Sequence, residues 1–186
     1  MIGFAMCGSY CTHSRSLAEL EKLIRDGYDV LPIVSDNVYS TDTRYGTSKG
    51  LCERLRELCG REVIHTVVDA EPLGPKIELD AMIICPCTGN TLAKLATGIT
   101  DTAVTMATKA HLRTDRPLVI ALASNDALSA NLGNIGTLLN RKYVYFVPMR
   151  QDDPQNKPHS LVADFSLINS TLKSALEGKQ IQKIFI

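Results

Sequence analysis

The sequence lacks the features of a membrane, exported or nucleic-acid-binding protein. It has no run of about 18 consecutive apolar residues, so no membrane-spanning helix is predicted. Its start, MIGFAMCG, has neither the basic residues nor the long apolar stretch of a signal peptide, so a cytoplasmic location is expected. Lysine plus arginine and aspartate plus glutamate each number 20, and no basic stripe is present. Nucleic acid is therefore not an expected ligand.

The signature loops of common nucleotide-binding domains are also missing. Gly3 and Gly8 do not form G-x-G-x-x-G, and residues 46–50 lack the spacing of a P-loop. The chain is not expected to bind NAD(P) through a fingerprint of its own. Six cysteines without an export signal are expected to be reduced thiols. Cys85 and Cys87 are too close for the usual zinc spacing, so buried thiols are favoured and no metal is predicted.

Apolar runs alternate with helical patterns along 186 residues, a length that suits one compact domain over residues 1–186. Six strands are predicted, at residues 2–7, 30–34, 63–68, 81–85, 118–123 and 144–147. Helices are predicted at residues 14–26, 48–59, 90–97, 101–112, 127–140 and 160–177. This alternation predicts an α/β fold: a three-layer, Rossmann-like, parallel six-stranded sheet with helices on both faces. The tail at residues 179–186 is a candidate interface segment.

Small hydroxylated and amide-bearing residues follow four of the predicted strands. The candidates for ligand binding are Gly8, Ser9, Ser35, Asn37, Pro86, Thr88, Gly89, Asn90, Thr91, Ser124 and Asn125. Ligands of an open parallel sheet bind beyond the carboxyl ends of its strands, so these loops are expected to share one site. Their N–H groups and helix starts suit a phosphate or a polar aromatic ring. The alternative for any single loop is that its Ser, Thr or Asn residues only cap a helix and bind no ligand.

Residues 80–107, DAMIICPCTGNTLAKLATGITDTAVTMA, resemble a flavoprotein family that includes flavin-dependent cysteine decarboxylases. In that family a strand ends in P-A-S-A-N-T and continues with A-K-x-A-x-G-x-x-D. The matching residues here are Pro86, Asn90, Thr91, Ala93, Lys94, Ala96, Gly98 and Asp101. The resemblance implies that this loop and Gly8-Ser9 hold FMN, in a homo-oligomer of three or more subunits.

Other segments resemble one branch of that family, the B subunits of dipicolinate synthases. They are GSYCTH at 8–13, STDTRYG at 40–46, AEPLGPK at 70–76, ASNDAL at 123–128 and QDDPQNKP at 151–158. The resemblance implies an oxidoreductase subunit of the mother-cell cytoplasm in a sporulating bacterium. It would oxidise a dihydrodipicolinate-type intermediate to dipicolinate, together with an A subunit that carries NADP. Without that partner the chain is expected to be inactive.

The decarboxylases differ from this chain at two places. Their catalytic histidine lies in H-I-x-L, where this sequence has Lys76-Ile77-Glu78-Leu79, and their P-x-M-N-x-x-M-W stretch is replaced by residues 123–128. Decarboxylation is therefore not favoured. A non-catalytic scaffold that binds FMN or another anion remains the alternative to an active subunit.

Three residues are candidates for catalysis: Lys76, His13 and Arg44. Lys76 follows Gly74-Pro75 and could pair with a dicarboxylate or a flavin phosphate. His13, at the predicted start of the first helix, could transfer a proton. Arg44 could bind a carboxylate bidentately from a loop that acts as a lid. The alternatives are a solvated lysine, a helix-start histidine and an exposed loop arginine.

Overall fold

The computed structural model of the protein describes all 186 residues. The strands are β1 (Ile2–Met6), β2 (Val30–Val34), β3 (Ala81–Cys87), β4 (Leu118–Ser124), β5 (Val144–Phe146), β6 (Met149–Arg150) and β7 (Leu161–Ala163). The helices are α1 (His13–Arg25), α2 (Asp36–Ser40), α3 (Ser48–Cys59), α4 (Val67–Ala70), α5 (Gly89–Thr97), α6 (Ala103–Leu112), α7 (Leu132–Leu139) and α8 (Ile168–Leu176). Short 3-10 turns at Tyr10–Thr12 and Phe165–Leu167 precede α1 and α8.

One sheet joins all seven strands. Its order is β2-β1-β3-β4, with β5 and the β7-β6 pair beyond β4. The first five strands are parallel, whereas β7 runs antiparallel to both β4 and β6. The predicted Rossmann-like α/β class is confirmed. The prediction of a purely parallel six-stranded sheet was wrong, because five parallel strands are joined by an antiparallel pair.

The predicted strand at residues 63–68 is absent. Only Ile64 joins the sheet, donating to the Pro32 carbonyl and accepting from the Val34 N–H at the edge of β2. The chain then turns at Thr66, whose side chain accepts from the Asp69 N–H and starts α4. A short apolar run can serve a strand or a helix equally well, and tertiary contacts decide between them.

Two predicted helices are shorter than expected. Residues 126–131 form turns, so the helix predicted at 127–140 is reduced to α7. The helix predicted at 160–177 is divided into β7, a 3-10 turn and α8. Asp164 marks this division, because its carboxylate accepts from the Ser166 N–H at the start of the turn. Polar side chains that bond to the local backbone compete with the regular helix in this way.

The core lies on both faces of the sheet, and alternate strand residues supply the two layers. Ala5 and Ile33 belong to the layer covered by α5 and α6, whereas Phe4 and Val34 belong to the layer covered by α1 and α8. Strands buried on both faces have continuous apolar sequences, which explains why β1, β3 and β4 were predictable. No helix is long and apolar enough to cross a membrane.

The C-terminal tail bonds to the free edge of β6. The Met149 N–H donates to the Ile184 carbonyl, and the Ile186 N–H donates to the Met149 carbonyl. The side chains of Phe185 and Ile186 are about half exposed, at 53% and 51%. The tail therefore belongs to the sheet through its backbone and presents apolar side chains to its surroundings.

Candidate functional site

The carboxyl ends of β1, β2 and β3 meet in a cleft of about 370 Å³, which we call the first cleft. Six of the predicted binding residues line it: Gly8, Ser35, Asn37, Thr88, Asn90 and Thr91. Its remaining walls come from Tyr10, Asp36, Lys94, Asp101 and Thr102. Three of the four predicted loops therefore meet, as expected for the edge of a parallel sheet.

The other five predicted binding residues are not on the walls of the first cleft. They are Ser9, Pro86, Gly89, Ser124 and Asn125. Ser9 and Pro86 shape the adjoining turns, since the Ser9 N–H donates to the Cys7 carbonyl and the Pro86 carbonyl accepts from the Cys7 N–H. Ser124 packs against the start of α5 instead, because a Cβ at Gly89 would lie 2.5 Å from the Ser124 hydroxyl. The fourth loop therefore contacts α5 and does not line the cleft.

Thr88 fixes the loop that follows β3. Its hydroxyl oxygen accepts from the Thr91 N–H at 3.2 Å, which caps α5. The Thr91 hydroxyl in turn contacts the Cys7 thiol at 3.3 Å and so ties α5 to the end of β1. The first N–H groups of a helix have no acceptor within it, and they favour anions. The start of α5 is therefore a preformed set of donors at the first cleft.

His13 bonds to the turn that follows β1. Its Nε2 lies 2.8 Å from the Cys7 carbonyl oxygen, and the residue is only 9% exposed. Burial lowers the pKa of His13, with the bond to Cys7 acting in the opposite direction. The neutral ring donates its Nε2–H to that carbonyl, because a carbonyl oxygen only accepts. Nδ1 is then the nitrogen with a free lone pair.

The first cleft contains one cation and two carboxylates. Lys94 Nζ lies 2.9 Å from both carboxylate oxygens of Asp101, and this contact lowers the pKa of Asp101. Asp36 is the second carboxylate. Since Lys94 is already paired, an anion bound here would be held chiefly by N–H and hydroxyl donors.

Three buried cysteines, Cys7, Cys85 and Cys87, lie at the ends of β1 and β3. Burial raises the pKa of Cys7 to about 11 and of Cys85 to about 12, and it also raises the pKa of Cys87. Thiols that remain protonated near neutral pH are poor nucleophiles and poor metal ligands. No group of three or more His, Cys, Asp or Glu side chains is arranged to hold a metal ion.

A second cleft, of about 300 Å³, lies between α1, the loop at residues 41–47 and the start of α3. His13 and Tyr10 line it, and Tyr10 also lines the first cleft. Arg44 does not line the second cleft, but it contacts Tyr45: its guanidinium donates to the Tyr45 hydroxyl at 2.8 Å and sits 4.9 Å from the centre of that ring. Tyr45 itself lines the second cleft.

Lys76, a candidate for pairing with a dicarboxylate or a flavin phosphate, lines neither cleft. Its loop packs on the last turn of α6, since a Cβ at Gly74 would lie 2.5 Å from the Ala110 carbonyl oxygen. Thr102, before the first turn of α6, lines the first cleft. Ten helical residues, about 15 Å, separate these ends. Within one chain Lys76 is therefore remote from the first cleft, and it does not line the second.

Sequence reasoning overlooked Tyr10, the one aromatic residue shared by the two clefts. Its position directly after Gly8-Ser9 was the available signal, because that loop was already a candidate. Its role depends on contacts with distant residues: the hydroxyl bonds to the Asn37 carbonyl, and the ring lies 5.2 Å from that of His13. A linear pattern does not show such contacts.

Comparison with known proteins identifies the family. The model of the flavoprotein family matches residues 1–160. The chain belongs to the flavoprotein family. It is 43% identical over 185 residues to the dipicolinate synthase B subunit of Bacillus subtilis (strain 168), covering 100% of this chain and 92% of that protein. The predicted family and its dipicolinate synthase branch are thereby confirmed.

Solved structures agree with this flavoprotein assignment. The dipicolinate synthase B subunit from Bacillus halodurans superposes with a TM-score of 0.91 at 40% identity, covering 100% of this chain and 95% of that one. The FMN-dependent cysteine decarboxylase SpaF has a TM-score of 0.65 at 22% identity, with 94% and 95% covered. The second likeness concerns the fold alone.

The donor set of the first cleft fits part of the FMN molecule. Asn90 offers its side-chain amide, and the unbonded N–H groups at the start of α5 suit a phosphate, whereas the hydroxyls of Thr88 and Thr91 already bond within the chain. Tyr10 is the one wall residue with a large apolar surface. A flavin ring needs more apolar cover than this, because small-molecule sites are mostly apolar. One chain therefore has polar groups that fit the phosphate end of FMN but no apolar wall of the size its ring needs.

Proposed function

We propose that this flavoprotein is the B subunit of a dipicolinate synthase that acts during sporulation. With an A subunit that carries NADP, it would oxidise a dihydrodipicolinate-type intermediate to dipicolinate. The observation that carries the proposal is 43% identity along the whole chain to a protein of that name. The missing G-x-G-x-x-G is consistent with a dinucleotide carried by the partner.

The first cleft would hold FMN in this proposal. Asn90 and the N–H groups at the start of α5 would bind its phosphate end, and Gly8 and Ser35 would line the cleft beside it. Bound flavin would supply reversible uptake of a hydride equivalent. The residues of the chain would position the substrate near that group and exclude water.

Reconstitution with the A subunit tests the proposed function. The purified chain alone is expected to form no dipicolinate from a dihydrodipicolinate-type substrate and NADP, and addition of the A subunit should restore synthesis. Dipicolinate is measured directly by chromatography. Robust NADP-dependent synthesis by this chain alone would contradict the division of labour between the subunits.

A visible absorption spectrum tests the cofactor. Freshly purified protein, or protein mixed with FMN and passed through a desalting column, should show the flavin bands. An Asn90→Ala variant should retain less FMN, whereas Asn134→Ala, whose amide bonds to Asn131 away from the first cleft, should retain as much as the native chain. Native protein without flavin bands after this treatment would refute FMN binding.

A non-catalytic scaffold is the second candidate, and one observation favours it. None of the three catalytic candidates lines the first cleft: Lys76 and Arg44 line neither cleft, and His13 lines the second cleft. A triple variant with Asn90, Lys76 and Arg44 replaced by alanine separates the candidates. If the complex with the A subunit keeps its full rate, the scaffold is favoured over a catalytic subunit.

The proposal includes a homo-oligomer, as the family resemblance implies. The polar first cleft lacks a second apolar wall, and another subunit would supply one. The exposed apolar side chains of Phe185 and Ile186 are candidate contacts. Light scattering of the native chain should give the mass of a trimer or a larger assembly, and a monomer at all concentrations would contradict this expectation.

A further inference from the structure

The second cleft combines features that suit a small ring with acidic groups. Its apolar surface comes from Leu17, Val38 and Leu51, and hydroxyl groups of Ser14, Thr43 and Tyr45 surround this surface. Ligand sites commonly pair an apolar wall with a few polar groups that fix orientation. The volume of about 300 Å³ is at the small end for such sites, which favours a compact ligand.

One arginine lines the second cleft and a second lies next to its lining residues. Arg54 reaches it from α3, with its guanidinium 2.8 Å from Glu21 and 3.5 Å from Glu57. Arg44, between the lining residues Thr43 and Tyr45, forms no salt bridge and rests on the Tyr45 ring. A guanidinium without an acidic partner binds a carboxylate through two parallel hydrogen bonds. Arg44 is therefore the cation available to an incoming acid.

His13 gives the second cleft a proton acceptor in a fixed tautomer. The hydrogen bond of its ring runs from Nε2 to the Cys7 carbonyl, which holds the ring and leaves Nδ1 free to accept. The same bond links the ring to the turn that forms the first cleft, and Tyr10 is a wall of both clefts. A ligand beside His13 would thus lie next to the cofactor region.

We propose that the second cleft binds the cyclic dicarboxylate substrate, with Arg44 on one carboxylate and His13 Nδ1 as the proton acceptor. This inference rests on the proposed function. Oxidation of a dihydropyridine dicarboxylate removes one hydride and one proton. FMN in the first cleft would supply the hydride acceptor, with NADP⁺ of the A subunit as the final oxidant. His13 Nδ1 would take the proton, and the electron pair of that second broken bond would complete the aromatic ring.

Binding of pyridine-2,6-dicarboxylate to the complex of this chain with its A subunit tests the site. Titration calorimetry should show binding that Arg44→Ala weakens about tenfold and Arg44→Lys weakens less. Arg56→Ala is the matched control, since Arg56 is an exposed arginine of α3 that pairs with Glu62 outside the cleft. Equal affinity of Arg44→Ala and the native complex, or no binding by the native complex, would overturn the proposal.

Amide chemical shifts of the full chain locate the bound probe without any substitution. Addition of pyridine-2,6-dicarboxylate should move the signals of residues 43–51 and leave those of residues 88–91 nearly unchanged. The opposite pattern would place the acid in the first cleft and would refute the inference. Because Arg44 is exposed, its variants should fold normally, and this can be checked from the same spectra.

A His13→Gln variant tests the proton acceptor. Glutamine can still donate to the Cys7 carbonyl but does not accept a proton near neutral pH. We expect kcat of the complex to fall by about 100-fold or more with KM nearly unchanged. A loss confined to KM, or no loss, would remove His13 from the proton transfer.

The experiments distinguish a failure of this inference from a failure of the proposed function. If the complex makes dipicolinate while Arg44→Ala binds the probe normally, the function stands and the second cleft is not the substrate site. If the probe binds at residues 43–51 but the complex makes no dipicolinate, the second cleft is a dicarboxylate site in a protein of another function.

Discussion

The Tyr10 hydroxyl donates to the backbone carbonyl oxygen of Asn37 across a distance of 3.0 Å. This bond connects the turn after β1 with α2 and holds the Tyr10 ring between the two clefts. The ring also packs within 3.5 Å of the place that a Cβ would take at Gly8. One aromatic side chain therefore sets the distance between the region assigned to the cofactor and the region assigned to the substrate.

Replacement of Tyr10 should affect both ligands. Tyr10→Ala is expected to weaken the retention of FMN and the binding of pyridine-2,6-dicarboxylate, because it removes a wall that both clefts share. Tyr10→Phe should have a smaller effect, since it keeps the ring and loses one hydrogen bond of about 1 kcal/mol. Calorimetric titration with each ligand provides the measurement, and an effect on one ligand alone would contradict the shared wall.

Gly89→Ala should destabilise the protein by about 1–3 kcal/mol. The added Cβ would lie 2.5 Å from the Ser124 hydroxyl and 2.7 Å from the side chains of Asn131 and Asp126. Gly133→Ala is the matched control in α7, where a Cβ meets nothing within 4 Å. Alanine there should leave stability unchanged or raise it by up to about 1 kcal/mol. Urea unfolding measures both, and equal stabilities would contradict the packing described.

Thr88→Ala should lower the free energy of unfolding by about 1 kcal/mol, because it removes the cap of α5. The variant should also retain less FMN, since the loop that presents the donors loses its anchor. Thr47→Ala removes the equivalent cap of α3, where the side chain accepts from the Gly50 N–H. The control should lose similar stability but keep FMN, and parallel losses of FMN in both variants would argue against a specific role for Thr88.

Stability should fall as the pH drops below about 6.5, the ordinary pKa of histidine. Burial lowers the pKa of both His13 and His111, so the unfolded chain takes up protons before the folded one. About 1.4 kcal/mol is lost for each pH unit over which the unfolded chain holds one extra proton. His13→Gln and His111→Gln should each flatten this decline in urea titrations between pH 7 and pH 5, roughly the histidine range.

Cys11 should be the thiol that reacts fastest with a thiol reagent. It is exposed, whereas Cys7, Cys85 and Cys87 are buried and their pKa values are raised by burial. A Cys11→Ser variant should lose the rapid phase of labelling, and the buried thiols should react only when the chain is unfolded. Rapid labelling of Cys7 in the Cys11→Ser variant would show that the turn after β1 opens in solution.

The sequence was informative where burial alone determines the structure. The central strands are apolar on both faces, so the runs around Phe4, Ile83 and Ile120 predicted them, and the polar residues after them predicted the first cleft. The hairpin of β6 and β7 was not predictable, because strands of two and three residues carry too little periodicity.

Long-range geometry accounts for what the sequence did not predict at the site. Lys76 and His13 were both candidates on chemical grounds, yet only the folded chain places His13 beside the Cys7 carbonyl and the loop of Lys76 against the last turn of α6. The contact of Ser124 with the start of α5 likewise depends on how closely Gly89 approaches it. Such relations arise from packing between distant segments.

Isolated β-bridges cover part of the two edge strands of the sheet, β2 and β6, and this affects aggregation at high protein concentration. Ile64 bonds along β2, and residues 184–186 bond along β6, so segments of the same chain occupy part of each border. Unpaired border strands recruit strands from other molecules and promote fibrous aggregation. Residues 184–186 therefore cover the edge of β6, and their removal would leave that edge open to pairing with strands of neighbouring molecules.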